Sequence, residues 1–303
     1  MKALITGGSG LVGGYLTDYL ISQQWDVVHL SSSKAYKKNS SHRTFLWNPS
    51  KMYLEKGALE GVDVIFNLAG ATVSKRWTAE YRQLILESRL QTMDCLKEAL
   101  RLEDHAVQAV ISASAVGIYP SSKTELYSEK GPFANDFLGS VTQKWEKALD
   151  EIHKDLNIRT AALRIGIVLS PKGGVLGQID SLFKWGLGSA LGNGKQWMSW
   201  IHAEDLARLF VHVYHSKHQG PINAGGPKPE TNKDFSIQLA KALKRPFWLP
   251  PVPGFVIKSI MGEMGTLALM SQKVDSETAK GLDFKYKFQS LASALTDLYS
   301  QSR

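Results

Sequence analysis

The stretch "KALITGGSGLVGGYL" (2–16) constrains the fold more than any other. An apolar run starts at the second residue and ends in Gly7, Gly10 and Gly13, spaced Gly-x-x-Gly-x-x-Gly, and amphipathic helical spacing begins at once. The first glycine permits a tight turn, the second lets a pyrophosphate approach the backbone, and the third lets helix and strand pack closely. The helix N-terminus then offers unpaired N–H groups and a partial positive charge. A glycine triplet alone says little. Between a strand and a helix it is a specific signal for a dinucleotide.

The rest of the chain supports that opening. "KALIT" (2–6), "DVVHL" (26–30), "DVIFNLAG" (63–70), "AVISAS" (109–114) and "RTAALRIG" (159–166) read as short buried strands. Between them, 11–23, 79–101 and 136–155 carry apolar residues at helical spacing. Strand and helix in alternation predict an α/β fold, a doubly wound parallel sheet covered by helices on both faces. Beyond about residue 166 the pattern changes to Gly-rich loops, helices at 203–216 and 231–243, and the proline-broken "RPFWLPPVPG". The expected division is a nucleotide-binding domain over 1–165, to which 200–228 returns, and a smaller substrate lobe over 166–303.

Charge and cysteine usage narrow the function classes. Lys plus Arg number 36 against 28 Asp plus Glu, but the lysines are scattered, and the one basic cluster is "SKAYKKNSSHR" (33–43). No basic helix with interleaved aromatics occurs, so nucleic acid is not the expected partner. A single cysteine, Cys95, excludes an intrachain disulfide framework and fits a reducing, cytoplasmic setting. The greasiest stretch, "VPGFVIKSIMGEMGTLALM" (252–270), carries Lys258 and Glu263 and is not expected to span a membrane.

The end of the second strand bears on the cofactor. An NAD site usually places Asp or Glu there for the ribose hydroxyls. This strand ends "HLSSSK", without an acid. Ser31, Ser32 and Lys34 would hold a 2′-phosphate that an acid would repel, with Arg43 a further candidate. The reading is NADP(H).

With the glycine loop, "NLAG" and "SASAVGIY" in view, the chain resembles the extended short-chain dehydrogenase/reductase superfamily. More narrowly it is similar to its atypical branch, the epimerase family of the YfcH and SDR39U type. The segments that carry the likeness run in order: "NLAGATVSKRWT" (67–78), "ILESRLQT" (85–92), "SASAVGIY" (112–119), "DFLGSVTQKWE" (136–146), "LRIGIVLSPKGG" (163–174), "LGSALGNGKQWMSWIHAEDL" (187–206) and "TNKDF" (231–235). The resemblance implies a Rossmann domain with NADP and a C-terminal substrate lobe, but supplies no reaction. It implies that Gly7, Ser9, Gly10, Leu11, Val12 and Gly13 line the pyrophosphate and that Ser31 and Ser32 meet the 2′-phosphate. Leu68, Ala69 and Gly70 would lie along the ribose and nicotinamide, Arg89 would reach the cofactor from the "ESR" motif, and Val168 would sit near the nicotinamide.

The catalytic set departs from the pattern. In extended dehydrogenases a serine ends a strand, and a Tyr-x-x-x-Lys pair lies on the next long helix, where the ammonium lowers the phenol's pKa. Here that helix is "DFLGSVTQKWEKALDEI", and Leu138 and Thr142 occupy the Tyr and Lys places. "YPSSK" (119–123) has the right spacing but follows the strand directly and shows no helical period, so its spacing is read as coincidence. Ser114 is the expected hydrogen-bond donor to a substrate oxygen. Tyr119 is carried as a candidate acid, with a packing or rim tyrosine as the alternative.

For the substrate, Lys75 and Arg76 would bind an anionic group with Trp77 as a wall, a solvated loop being the alternative. Trp197, Trp200 and His202 would form an aromatic cleft, while His202 also stands where a helix cap would. His212, His215 and His218 have ligand-like spacing, but no acid or cysteine joins them, and no metal site is expected. Two functions stay open. One is an NADP(H)-dependent, epimerase-like oxidoreductase acting on a small carbonyl or alcohol. The other is a catalytically quiet NADP-binding redox sensor or regulatory protein.

Overall fold

The structure, a computed structural model, describes residues 1–33 and 42–300. Its centre is an eight-stranded sheet of β1 (Lys2–Thr6), β2 (Asp26–Ser31), β3 (Arg43–Asn48), β4 (Tyr53–Leu54), β5 (Val64–Asn67), β6 (Ala109–Ala115), β8 (Arg159–Ile165) and β12 (Gly220–Ala224). The spatial order is β12-β8-β6-β5-β1-β2-β3-β4, and the one antiparallel neighbour pair is β3–β4. The order reverses between β1 and β5. Connections leave in opposite directions there and open a crevice at the strands' carboxyl ends. This is the α/β, Rossmann-like, doubly wound fold.

The strands read as unbroken apolar runs because both faces are covered. Successive side chains of a strand point to opposite faces. Ile5 joins a core with Leu16, Leu20, Leu206 and Phe210, from α1 (Leu11–Ser22) and a helix over Ala203–His215. Its neighbour Leu4 joins Met93, Leu96, Trp145 and Leu149, from α2 (Ala79–Leu102) and α3 (Phe137–Leu156). Each such residue contributes about 1.5–3 kcal/mol of burial. Cys95 lies in this second core, where burial first and Asp94 second push its thiol up to about 11.

A third core joins α4 (Gly174–Lys184), α6 (Asn232–Ala242) and α9 (Leu291–Ser300) through Leu176, Phe235, Leu239 and Leu295. The Ala203–His215 helix, α5, lies between those elements in sequence but packs on the large sheet with α1. Short pairs stitch the parts together. They are β7 (Leu126–Tyr127) with β14 (Lys273–Val274), β9 (Ile167–Ser170) with β11 (Trp200–His202), and β10 (Trp197–Met198) with β13 (Glu230–Thr231).

To the five strands read from the sequence, the structure adds β3, β4 and β12 in the large sheet. "GPINA" reads as loop because glycines flank it, yet it forms β12, with Ile222, Asn223 and Ala224 buried beside β8. The strand β3, between β2 and the edge strand β4, follows directly on the basic cluster that masks its pattern. The greasy stretch is broken by Gly262, whose φ of +62 ends α7 (Gly254–Met261) before the short α8 (Gly265–Leu269). Among the described residues no helix is long and apolar enough to cross a membrane.

Candidate functional site

The glycine loop is shaped by close approach. Gly7 adopts φ +68, and a Cβ on it would stand 2.8 Å from the Leu68 carbonyl carbon. A Cβ on Gly13 would collide with the Gly7 carbonyl oxygen, so α1 could not pack down on the loop. Gly10 is the N-cap of α1 and brings no capping side chain, which leaves the helix N-terminus open to an anion. Below the loop, the buried His29 ring fills the space at Gly8, and its Nε2 lies 2.8 Å from Thr17 Oγ1. Burial, with His42 adding to it, lowers His29 to about 3, so the ring stays neutral under the loop.

Thr6 ties the crevice together. Its Oγ1 donates to Asn67 Oδ1 at 2.6 Å and accepts from the Leu68 and Ala69 N–H groups at 3.1 Å. A cavity of about 500 Å³ opens there, lined by Gly7, Ser9, Gly10, Ser31, Ser32, Leu68, Ala69 and Gly70, among others. Among its described lining residues there is no Asp or Glu. Leu11 turns toward Gly173 and Gly174, and Val12 packs on the core, so of these two only the backbone serves an anion. A cradle that any Cβ would fill, above an uncapped helix, fits a dinucleotide pyrophosphate. Lys34 lies outside the described residues. Arg43 pairs in register with Val28 rather than Ser31 and lies 4.6 Å over the Phe45 ring, so it does not join Ser31 and Ser32.

Arg89, on α2, marks the far end of this cavity. It packs on Gly70, donates from Nη1 to the carbonyls of Ile85 (2.8 Å) and Ala71 (3.1 Å), and lies 4.9 Å over the Trp145 ring. Burial lowers its pKa to about 10. On its other side a second cavity, about 370 Å³, runs between β6, β8, α3 and the α7–α8 segment. Val168 lies on β9 beside it, and Ile167 lines it.

The catalytic candidates lie elsewhere. Ser114 and Ala115 are successive residues of β6 and face opposite ways. Ala115 lines the second cavity, whereas Ser114 is buried and donates to Glu146 Oε1 at 2.6 Å. Glu146 is gripped by Arg164, Nε at 2.9 Å and Nη2 at 2.7 Å, and Arg164 Nη1 donates to the Tyr119 oxygen at 2.7 Å. The Tyr119 hydroxyl in turn donates to Asn223 Oδ1 at 2.7 Å. The phenol is fully buried, and desolvation, outweighing the pull of Arg164, pushes its pKa up to about 12. The expectation of Tyr119 as acid is therefore corrected, because its proton is committed inside the protein. Ser114 belongs to the same network and does not face the cleft. Lys123 is exposed, and its backbone carbonyl accepts the Trp197 indole N–H at 2.9 Å.

Leu138 and Thr142, the residues in the Tyr and Lys places, do line the cleft, and the Thr142 hydroxyl donates to the Leu138 carbonyl at 2.8 Å. Lys75 and Arg76 are exposed on the loop whose Val73 and Ser74 line the cleft. Trp77 anchors that loop through its N–H on Val73 (3.0 Å) and an edge contact with Phe137. The aromatic wall needs correction as well. Trp200 is buried in the third core, because β11 pairs with β9 there. His202 is buried as the N-cap of α5, accepting from the Glu204 N–H at 3.2 Å. Trp197 is covered by Lys273 at 4.0 Å. None of the three lines the cleft. Of the spaced histidines, His212 meets the Leu282 carbonyl and His218 that of Pro221.

The sequence did not flag several residues that the structure brings in. Met261, Met264 and Met270 line the cleft from the greasy stretch, with Gln178 and Gln272. Lys172, in "SPKGG", stands beside Ser9 and Gly10 and lies 5.1 Å over the Tyr15 ring. Its signal in the sequence is the loop that follows "LRIGIV".

The family model described as NAD dependent epimerase/dehydratase family matches residues 3–225. The chain belongs to that family. Within this epimerase/dehydratase family it is 35% identical over 305 residues to an epimerase family protein of Staphylococcus epidermidis, with 98% of each chain covered. A second model, a domain of unknown function (DUF1731), matches residues 252–298, which include α7 and α8. Among solved structures, the human epimerase family protein SDR39U1 with NADPH superposes with a TM-score of 0.86 at 28% identity, covering 99% of both chains. A nucleoside-diphosphate sugar epimerase from Corynebacterium glutamicum gives 0.77 at 28% identity, over 99% of this chain and 58% of that one.

Proposed function

We propose that the chain is an NADP(H)-binding, epimerase-like oxidoreductase of the extended short-chain dehydrogenase type, acting on a small carbonyl or alcohol compound. One observation carries the reading: the crevice at the glycine loop and the apolar cleft adjoin at Gly70 and Arg89. When bound, the nicotinamide dinucleotide supplies hydride chemistry. The backbone from Gly7 to Gly13 and the N-terminus of α1 hold the pyrophosphate, with Lys172 as a nearby cation. Ser31 and Ser32 receive the 2′-phosphate, and Leu68, Ala69 and Gly70 line the ribose. Arg89 stiffens the junction by bracing Ala71 against α2. Residues 1–165 with 200–228 serve the cofactor, and 166–303 cover the substrate. The human relative with NADPH supports the choice of NADP(H).

Fluorescence titration tests it. NADPH should bind at least about tenfold more tightly than NADH, a difference of about 1.4 kcal/mol. Equal affinities would remove the 2′-phosphate assignment.

A second reading is favoured by the cleft's chemistry. Arg89 is the one ionisable side chain among its described lining residues. A quiet NADP(H)-binding sensor needs no acid or base. It would change conformation on NADPH binding, seen as altered hydrogen exchange in α7 and α8, and show no NADPH oxidation across a carbonyl screen.

A further inference from the structure

The cleft beside Arg89 is an unusual place to reduce an ordinary carbonyl. An aldehyde or ketone that accepts hydride becomes an alkoxide and needs a nearby acid, and an alcohol that gives hydride needs a nearby base. Among the described lining residues there is no Asp, Glu, His, Lys, Cys or Tyr. Leu138 and Thr142 fill the positions of the usual pair, and the Thr142 hydroxyl is already bonded to the helix backbone. Arg89 shares its Nη1 between two carbonyls.

A conjugated acceptor escapes this requirement. The hydride adduct of a quinone is a phenolate-type anion stabilised over its ring, and such a phenol titrates about as tyrosine does, near pH 10. Water can protonate it without help.

The walls fit the same chemistry. Met261, Met264 and Met270 all come from the α7–α8 segment, and thioether sulfurs make favourable contacts with aromatic rings. Gln178 in the lining carries an amide N–H donor suited to a carbonyl oxygen, whereas the Gln272 amide, also in the lining, donates to the Tyr119 carbonyl at 3.4 Å. The volume, about 370 Å³, lies in the range of small-molecule sites. A nucleoside diphosphate would meet only Arg89 as a cation inside the cleft.

We infer that the cleft takes a flat, uncharged conjugated dicarbonyl of the para-quinone class. The inference rests on the NADP(H) reading for its electrons. Hydride from the reduced nicotinamide carbon forms a new bond to the quinone, leaving oxidised NADP and a hydroquinone monoanion, and the last proton comes from water.

Menadione is the probe. Calorimetry on the cofactor-free protein should show one site, and Met264→Glu, which puts a charge into the apolar wall, should weaken it at least tenfold while leaving NADPH affinity unchanged. Buried Cys95, the only cysteine, is shielded from quinone addition. With NADPH present, menadione should be reduced at a rate that is flat from pH 6 to 9. Aliphatic aldehydes and ketones should react at least 100-fold more slowly. Failure of menadione to bind a protein that binds NADPH would overturn the inference, as would fast ketone reduction with a pH break near neutrality. If NADPH itself does not bind, the cofactor reading falls, and menadione binding to wild type against Met264→Glu still decides what the cleft takes.

Discussion

The glycine loop and the cleft stand side by side on the carboxyl edge of one sheet, yet they use different parts of the chain. The loop works through backbone. Its requirements are the missing Cβ atoms of Gly7 and Gly13 and the uncapped N-terminus of α1. The cleft works through side chains, and those of Ala115, Leu138, Thr142 and the methionines present little polar chemistry. The polar equipment lies across β6, where Ser114, Glu146, Arg164, Tyr119 and Asn223 bond one another. Backbone binding of a dinucleotide is thus independent of the acid/base set that usually accompanies it. The crevice keeps its shape while Ser114 is bonded into that network and Leu138 and Thr142 stand in the Tyr and Lys places.

That contrast is sharpest at Arg164, from which the largest effect is expected. Arg164→Met leaves Glu146 without its cation, and stranding one member of a buried pair costs about 3–5 kcal/mol. A urea titration should show that loss, with NADPH affinity of the folded fraction unchanged. A cost below about 1 kcal/mol would mean that the network does not hold the fold.

The reverse substitution strikes the loop alone. Gly10→Val has an allowed backbone, φ −79 and ψ 172, but its Cβ would lie 3.2 Å from the Gly7 carbonyl oxygen, and its methyls would occupy the phosphate's approach. NADPH affinity should fall at least about 100-fold, or about 2.7 kcal/mol, with the circular dichroism spectrum retained. Unaltered binding would move the cofactor away from this loop.

His29 links the loop to pH. Its folded pKa is lowered from 6.5 to about 3, so the unfolded chain takes up the proton first as pH falls. The stability from the neutral buried ring is complete above pH 6.5 and is lost below it, at about 1.4 kcal/mol per pH unit down to about pH 3. Melting at pH 7, 5.5 and 4.5 should show the decline, and His29→Gln should flatten it.

The smallest effects fall on the motif look-alike. Tyr119→Phe removes the hydroxyl between Arg164 and Asn223 and should cost about 1–3 kcal/mol by leaving buried partners unpaired. It should leave NADPH affinity and any turnover as in the wild type. Lys123→Ala should change stability by no more than about 0.5 kcal/mol, because only its backbone carbonyl is used. A drop in hydride transfer in both variants would restore Tyr119 and Lys123 as an active pair.

By itself the sequence determined the β1–loop–α1 unit, the alternating parallel sheet and the absence of a Tyr-x-x-x-Lys pair from α3, where Leu138 and Thr142 stand in its places. These rest on local spacing and backbone geometry, which a single chain displays directly. Val64 to Phe66, for example, read as a buried strand because a short β-branched and aromatic run is bounded by the polar Asp63 and Asn67. The tertiary structure decided which way Ser114 faces, because a strand's two sides are equivalent until the helices dock. It decided that Trp200 is core and His202 a cap, because pairing of β11 with β9 buries residues that look exposed in a Gly-rich context. It also folded the 252–270 stretch over the cleft and so gave the cleft its methionines. Spacing along the chain fixes neighbours within an element. Which elements share a cavity is settled only when distant segments meet, as Arg89 meets Gly70 and Trp145.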